Sequence, residues 1–239
     1  QSTALIFPKT TELMDFLNPE QIQALSTHLR SLPLSQRIQE LYRYFSEDEV
    51  LVTSSFGTSS AYLLHLISRF RPTQPVHFIN TGYLFPETLA YRDELVTRLG
   101  LQLVEIGPDQ ASHAYTAADG TWKKNPDLCC TINKVVPLDE VKARHKVWIS
   151  GLLGFQNANR SQRSILEDTG EILKFYPLID NSEADVKRYL SFFKLPDHPL
   201  EAKGYGSVGC KYCTEPGKGR AGRWQGSAKT ECGLHVVRG

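Results

Sequence analysis

The chain has 239 residues, of which 41% are hydrophobic and 22% charged, and its formal charge is +1. That length suits one large α/β domain with a sizeable core, or one domain plus a tail, and the composition is ordinary for a soluble globular protein. A balance so near neutrality excludes recruitment of nucleic acid or an acidic membrane by a global field, so any basic site must be local. No apolar run approaches the length of a membrane span. Residues 1–30 lack a basic start followed by an apolar core, so no secretory signal is expected. There is no internal repeat and no low-complexity tract.

In chain order, residues 1–48 read as a helical segment that packs on the core. Leu13, Phe16 and Leu17 give one apolar face. Asn18-Pro19-Glu20 looks like an N-cap with proline at N1, opening a helix through Leu25 to Leu29. Ser35 is expected to cap the next helix, which carries Ile38, Leu41, Tyr42 and Phe45. Val50-Leu51-Val52-Thr53 is a short apolar strand. It runs into Ser54-Ser55-Phe56-Gly57-Thr58-Ser59-Ser60 and then a helical stretch with Leu63, Leu64, Leu66 and Ile67. Strand, small-residue loop, helix is the layout of an anion cradle, in which backbone N–H groups approach a phosphate or sulfate. There is no G-K-S/T, so this is not a Walker loop, and the serine-rich turn alone also fits an ordinary connection.

Pro75 to Asn80 is a second strand, out of which Thr81-Gly82-Tyr83 turns. Pro86-Glu87-Thr88 opens a helix bearing Leu89, Leu95, Val96 and Leu99, and Leu101 to Ile106 alternates as a third strand. Residues 107–128 read as polar and irregular. Val147 to Gly151 is a fourth strand and Glu171 to Leu178 a fifth, before a helix opened by Glu183-Ala184-Asp185 that carries Val186, Tyr189, Leu190 and Phe193. Strands alternating with helices predict an α/β fold with a mainly parallel, doubly wound sheet. Ligands of such sheets bind beyond the carboxyl ends of the strands, where the serine loop and Asn80-Thr81-Gly82 both lie. The expected division is a helical segment 1–48, a nucleotide-binding core 49–213 in one domain with it, and a mobile tail 214–239 with little core of its own.

All five cysteines lie in the second half. Cys129 and Cys130 are adjacent, Cys210 and Cys213 form a C-x-x-C, and Cys232 stands alone near the end. Four paired thiols plus one suggest a four-thiolate metal site and one nucleophile. Two adjacent cysteines can face one centre if a helical turn holds them. Four thiolates suit tetrahedral zinc or an iron–sulfur cluster, and spacing alone leaves both open, although the Cys-Cys half fits a zinc knuckle poorly. The plain alternative is four buried, unligated thiols. Thiols in metal-ligand spacing point to a reducing cytoplasm.

At this point the order of motifs resembles the sulfonucleotide reductases. The resemblance rests on Ser54-Ser55-Phe56-Gly57, on Asn80 to Thr88, on Lys134-Val135-Val136-Pro137-Leu138 and on Gly204 to Gly209. Arg220-Ala221-Gly222-Arg223-Trp224 and the ending Lys229-Thr230-Glu231-Cys232-Gly233-Leu234-His235 complete it, and the ending is the most specific signal. The resemblance covers roughly residues 35–235, most of a domain-sized chain. It implies an adenine-nucleotide alpha-hydrolase (PP-loop) fold and the assimilatory reduction of adenylyl sulfate (APS), or of 3′-phosphoadenylyl sulfate (PAPS), to sulfite. Thioredoxin or glutaredoxin would be the electron donor. Cys-Cys plus C-x-x-C marks the members with a 4Fe-4S cluster, most of which use APS, so the implied ligands are Cys129, Cys130, Cys210 and Cys213.

The implied chemistry is attack by the Cys232 thiolate on the sulfonyl sulfur, departure of AMP, and release of sulfite when a thioredoxin thiol attacks Cys232. The implied substrate contacts are Ser54, Ser55, Phe56, Gly57, Ser60, Lys134, Arg160, Arg220 and Arg223. His235 is expected to hydrogen-bond the sulfonate or to lower the thiol pKa. The expected partners are the donor and the small sulfonucleotide, with no nucleic acid and no membrane; self-association is left open. Three departures bear on substrate choice. Asn80 replaces the usual aspartate before Thr-Gly. The family's G-x-R-R-x-Q-S-x-x-R loop appears as Gly151 to Arg160, without its adjacent arginines and with Asn157 for serine, so that Lys123, Lys124 and Arg163 are the cations left to compensate. Asn133 stands where cluster-bearing members carry arginine and matches the PAPS type. The readings carried forward are APS reduction, reduction of PAPS or of both, an ATP-dependent adenylating enzyme of the same fold, and a non-catalytic nucleotide- or redox-sensing descendant.

Overall fold

The computed structural model describes residues 18–227 and 229–235. The apolar face expected of Leu13, Phe16 and Leu17 lies outside them. Helix α1 (Pro19–Ser31) opens with a capping box in which Asn18 Oδ1 accepts from the Gln21 N–H while Gln21 Oε1 accepts from the Asn18 N–H. Ile22, Leu25 and Leu29 recur at helical spacing and are buried. Helix α2 (Leu34–Leu41) starts directly after Pro33 and has no side-chain cap, so Ser35 lies inside the helix rather than before it. The fixed φ of proline sets the entry instead.

Six strands follow: β1 (Val50–Ser54), β2 (Val76–Ile79), β3 (Leu103–Ile106), β4 (Val147–Ser150), β5 (Leu166–Asp168) and β6 (Leu173–Phe175). They form one sheet in the order β3-β2-β1-β4-β6-β5, parallel except for the β5–β6 pair. The central strands are buried on both faces, which is why they read as continuous apolar runs. Val50 and Val52 point to one face, with Leu64, Ile67, Phe78 and Leu95 in the main core. Leu51 points to the other and meets Leu138, Val141, Trp148 and Ile172. The edge strand β5 was not expected. It is three residues long and returns through a turn at Thr169-Gly170, too short for a pattern of alternation to register.

Helices α3 (Ser60–Phe70) and α4 (Pro86–Leu99) sit where the sequence places them. The stretch expected to be irregular is helical: α5 (Gln110–Asp119), α6 (Thr121–Lys124) and α7 (Pro126–Cys130). Asp109 caps α5, accepting from the Ser112 N–H at 2.9 Å, Gly120 ends it, and Asn125 caps α7. Only Thr116 of α5 is buried, so no apolar stripe announced the helix. From α7 the chain continues through a π-helical turn, Thr131–Val135, into α8 (Val136–Lys142). The short α9 (Ala158–Ser161) follows β4, and α10 (Glu183–Phe192) starts at Ser182 in a capping box with Asp185.

After α10 the chain folds back across the carboxyl ends of the strands. The backbone bridges there pair Leu84 with Cys210, Tyr205 with Gly217 and Thr214 with Arg223. At the tightest crossing, a Cβ on Gly222 would lie 1.9 Å from the Glu215 carbonyl oxygen, so only glycine fits. Among the described residues no helix is long and apolar enough to cross a membrane.

One buried ion pair ties α2 to the loop before α10. Arg37 donates to both Asp180 oxygens, at 2.6 and 2.8 Å, and to the carbonyls of Arg30, Leu32 and Pro177. Replacing Arg37 with leucine strands Asp180 and three carbonyls, and should lower stability by about 3 kcal/mol in urea unfolding.

A candidate active site at the carboxyl ends of the strands

Neighbouring strands β1 and β4 leave the sheet in opposite directions along its order, which opens a crevice beyond their carboxyl ends. The cleft there is lined by Ser54, Ser55, Gly57 and Ser60 on one side and by Lys134, Arg160, Arg220, Arg223, Cys232 and His235 on the others. Phe56 does not line it. Its φ of +48° turns the ring into the core, edge-on to Phe78 at 5.3 Å, and its N–H donates to Ser54 Oγ. That turn presents the flanking small residues to the cleft. Helix α3 begins with no side-chain cap at its cleft end; of its first N–H groups, those of Ser60 and Tyr62 donate to the Gly57 and Ser59 carbonyls. Thr53, Trp148, Ser150 and Glu231 also line the cleft and were not expected.

The cations reach it by different routes. Lys134 comes from the π-helical turn; burial alone would lower its ammonium, but the neighbouring sulfurs, Cys210 foremost, raise it on balance. Arg223 lies flat against Gly209, where a Cβ would come within 2.3 Å of Nη2. Its Nη1 donates to Ser207 Oγ and the Val208 carbonyl at 3.3 Å, and its guanidinium sits 4.4 Å from the Trp224 ring centre. Arg160 and Arg220 both meet the buried Glu231 carboxylate. Burial alone would raise that carboxyl, but the Arg160 hydrogen bonds and charge, with the Arg220 charge, hold it at about 2. Burial, and next the Arg160 charge, pull Arg220 down to about 10.

The residues that depart from the motif have clear places. Leu153 is fully buried, and the Gly154 N–H donates to the Ile179 carbonyl, so neither position faces the cleft. Lys124 pairs with Asp119, Arg163 pairs with Glu167, and neither they nor Lys123 line the cleft. Asn157 caps α9 through Oδ1 and donates to Glu231 through Nδ2 at 2.8 Å. Asn80 donates to Glu105 at 2.9 Å, a contact an aspartate would turn into repulsion. Asn133 is buried and donates to the Cys129 carbonyl at 2.9 Å. It walls the cysteine cavity and not the cleft.

That cavity adjoins the cleft. Cys129, Cys130, Cys210 and Cys213 line it with Tyr83, Trp122 and Tyr212, the last two stacked at 4.3 Å. Among the described residues no three His, Cys, Asp or Glu donors converge on one point; the thiols stand around the cavity instead. Burial pushes Cys129 up to about 12 and Cys130 to about 11, and raises Cys213. Burial is also the largest influence on Cys210, but the Lys134 charge, the Thr81 hydrogen bond and the Arg223 charge together outweigh it and lower that thiol, 3.3 Å from Thr81 Oγ1.

The segment 229–235 closes one wall of the cleft. His235 stacks on Trp148 at 5.1 Å, Leu234 packs on the Leu51–Trp148 cluster, and Arg163 donates to the His235 carbonyl. Burial, with the Arg160 and Lys174 charges, pushes His235 down to about 3. Its ring is therefore neutral at ordinary pH and cannot act on Cys232 through charge.

The profile of the phosphoadenosine phosphosulfate reductase domain matches residues 49–216. The chain belongs to the sulfonucleotide reductase family. It is 39% identical to the adenosine 5′-phosphosulfate reductase of Mesorhizobium japonicum over 90% of this chain and 86% of that one. Against the enzyme of the same name from Halalkalibacterium halodurans the identity is 36%, over 79% and 85%. Among solved structures, the phosphoadenylyl-sulfate reductase of Candida auris, a phosphate complex, superposes with a TM-score of 0.70 at 23% identity, covering 84% of this chain and 98% of that one. The Candida glabrata FMN adenylyltransferase shares the fold with a TM-score of 0.55 at 16% identity, covering 84% and 69%. The sheet with its flanking helices is thus the PP-loop fold expected for this reductase family.

The two depressed groups of the tail act in the same direction with pH. A neutral buried His235 and an ionised Glu231 both favour the seated tail at neutral pH, and both are opposed by protons. Below about pH 6.5 the seat should weaken by up to about 1.4 kcal/mol per pH unit from His235, and further below about 4.5 from Glu231. The protection factors of the amides of residues 229–235, taken relative to the intrinsic exchange rate at each pH, should therefore fall steadily from pH 6.5 towards 3.

Proposed function

We propose that this chain reduces adenylyl sulfate to sulfite and AMP, with Cys232 as the nucleophile and a thioredoxin-type dithiol as donor. The observation that carries this reading is that the Cys232 thiol shares one cleft with the uncapped start of α3, Lys134 and Arg223. The relatives named above support the substrate class. In the first step Cys232 Sγ attacks the sulfonyl sulfur, the sulfur–oxygen bond breaks, and its electron pair leaves on the phosphate of AMP. In the second, a donor thiolate attacks Cys232 Sγ and expels sulfite. The donor's other thiol then releases Cys232, and the donor leaves as a disulfide carrying the two-electron oxidation.

Residues of the chain would stabilise the charge that moves. Lys134 and Arg223 would face the phosphosulfate group, and the Ser54–Ser60 loop at the positive end of α3 would receive the remaining nucleotide oxygens. His235, neutral and stacked, would act by hydrogen bonding only. Cys129, Cys130, Cys210 and Cys213 would hold a 4Fe-4S cluster: all four line one cavity, the thiolate donor set such a cluster takes. Such a cluster would supply a field beside Lys134 and a covalent tie between α7 and the 210–213 turn. Dependence on reduced thiols would suit a reducing cytoplasm.

Asn133, the position that leaned to PAPS, lies away from the cleft, and the relatives named APS reductase support APS as substrate; kcat/KM for APS should exceed that for PAPS by at least about tenfold. Protein incubated with APS and no reductant should gain the mass of one sulfonate on Cys232, and Cys232→Ser should gain none. An unchanged mass in the wild type, or an adduct elsewhere, would overturn the nucleophile. The purified protein should absorb in the visible range, and Cys210→Ser should lose that band together with its iron; a colourless, zinc-containing protein would refute the cluster.

A further inference from the structure

We propose that Glu231 is the positioning residue for Cys232, seated by Arg160 and Arg220. This rests on the reading of Cys232 as nucleophile. The Glu231 residue is 7% exposed. Arg160 grips its carboxylate as a fork, Nε to Oε1 at 2.5 Å and Nη2 to Oε2 at 2.9 Å. Asn157 Nδ2 adds a third donor at 2.8 Å, and Arg220 Nη2 reaches Oε2 at 3.3 Å and the Thr230 carbonyl at 2.9 Å. The third arm of Arg160, Nη1, donates to Gln156 Oε1. Each nitrogen of the Arg160 guanidinium thus makes at least one contact within the protein, which fixes its plane against the Glu231 carboxylate.

The neighbouring residue inherits this constraint. Consecutive Cα atoms are about 3.8 Å apart, so a fixed carboxylate at 231 fixes where the thiol at 232 can stand. Past the thiol the chain is held again, by Leu234 on its apolar cluster, by Lys174 Nζ to the Leu234 carbonyl at 3.4 Å and by His235 on Trp148. Cys232 is thus pinned on both sides, with the stronger grip on its amino-terminal side. A nucleophile on a loose segment samples a large volume, whereas a pinned one acts at high effective concentration. Bidentate, charge-assisted bonds are the means best suited to hold a short segment that has little apolar surface of its own.

The test compares the full-length protein with Glu231→Gln, Glu231→Asp and Arg220→Gln, and with Cys232→Ser as a blank. Three quantities are read: the single-turnover rate of Cys232 sulfonation at saturating APS, the equilibrium Kd for AMP, and the rate of iodoacetamide alkylation mapped to Cys232. Glu231→Gln should slow sulfonation about 100-fold, leave the AMP Kd within about threefold, and speed alkylation about tenfold. Glu231→Asp should recover part of the rate, and Arg220→Gln should show the same pattern more weakly. Sulfonation at the wild-type rate, or AMP binding tightened about tenfold with the rate kept, would overturn the proposal, because the carboxylate would then be competing with ligand instead of seating the thiol. Alkylation needs no substrate. If wild-type protein forms no sulfonate adduct, the nucleophile reading fails, while unchanged alkylation in Glu231→Gln is what would sink the seat itself.

Discussion

Four cationic side chains, Lys134, Arg160, Arg220 and Arg223, converge on one cleft, and one buried carboxylate answers two of them. Gathering like charges in a partly desolvated space is unfavourable unless an anion joins them. Glu231 supplies part of that charge from the tail, and Cys210, whose thiol is lowered beside Lys134, answers another part. What stays uncompensated is a surplus of positive charge near Lys134 and Arg223, beside Cys232. The cleft therefore favours an anionic ligand at one end and is already satisfied at the other. That asymmetry follows from the tail being seated, since without Glu231 all four cations would face the ligand alike.

The sheet fixes where this happens. Trp148 on β4 donates to Thr53 on β1 at 2.8 Å, stitching together the two strands whose ends form the floor, and offers its face to His235. The π-helical turn after α7 has a comparable role. One extra residue per turn lets Cys129, Cys130 and Asn133 face the cysteine cavity while Lys134 reaches the cleft. A regular helix would rotate these side chains out of that division.

The sequence made much of this legible, and the reasons for the rest are physical. The inner strands carry unbroken apolar runs because both their faces are covered, and the caps at Asn18 and Ser182 have strong local chemistry. The helices between residues 110 and 130 were missed because they lie on the surface and bury almost nothing, although Asp109, Gly120 and Asn125 mark their ends. Phe56 was grouped with its loop, yet its backbone angle sends it inward. Glu231 could not be read at all. Its partners Arg160 and Asn157 lie more than seventy residues away, and an acidic residue beside an anion site looks unfavourable until the arginines are seen to hold it.

The crossing at Gly222 has a wider consequence. The stretch from Gly204 to Trp224 is bound to itself by the 205–217 and 214–223 bridges and by the Trp224 N–H to the Cys213 carbonyl, with no room at the crossing for a side chain. Its sulfur-bearing edge, Cys210 and Cys213, and its basic edge, Arg220 and Arg223, are two rims of a single stiff plate. The two rims meet where Arg223 lies against Gly209, next to Cys210, so one cation borders both the sulfur-lined cavity and the cleft.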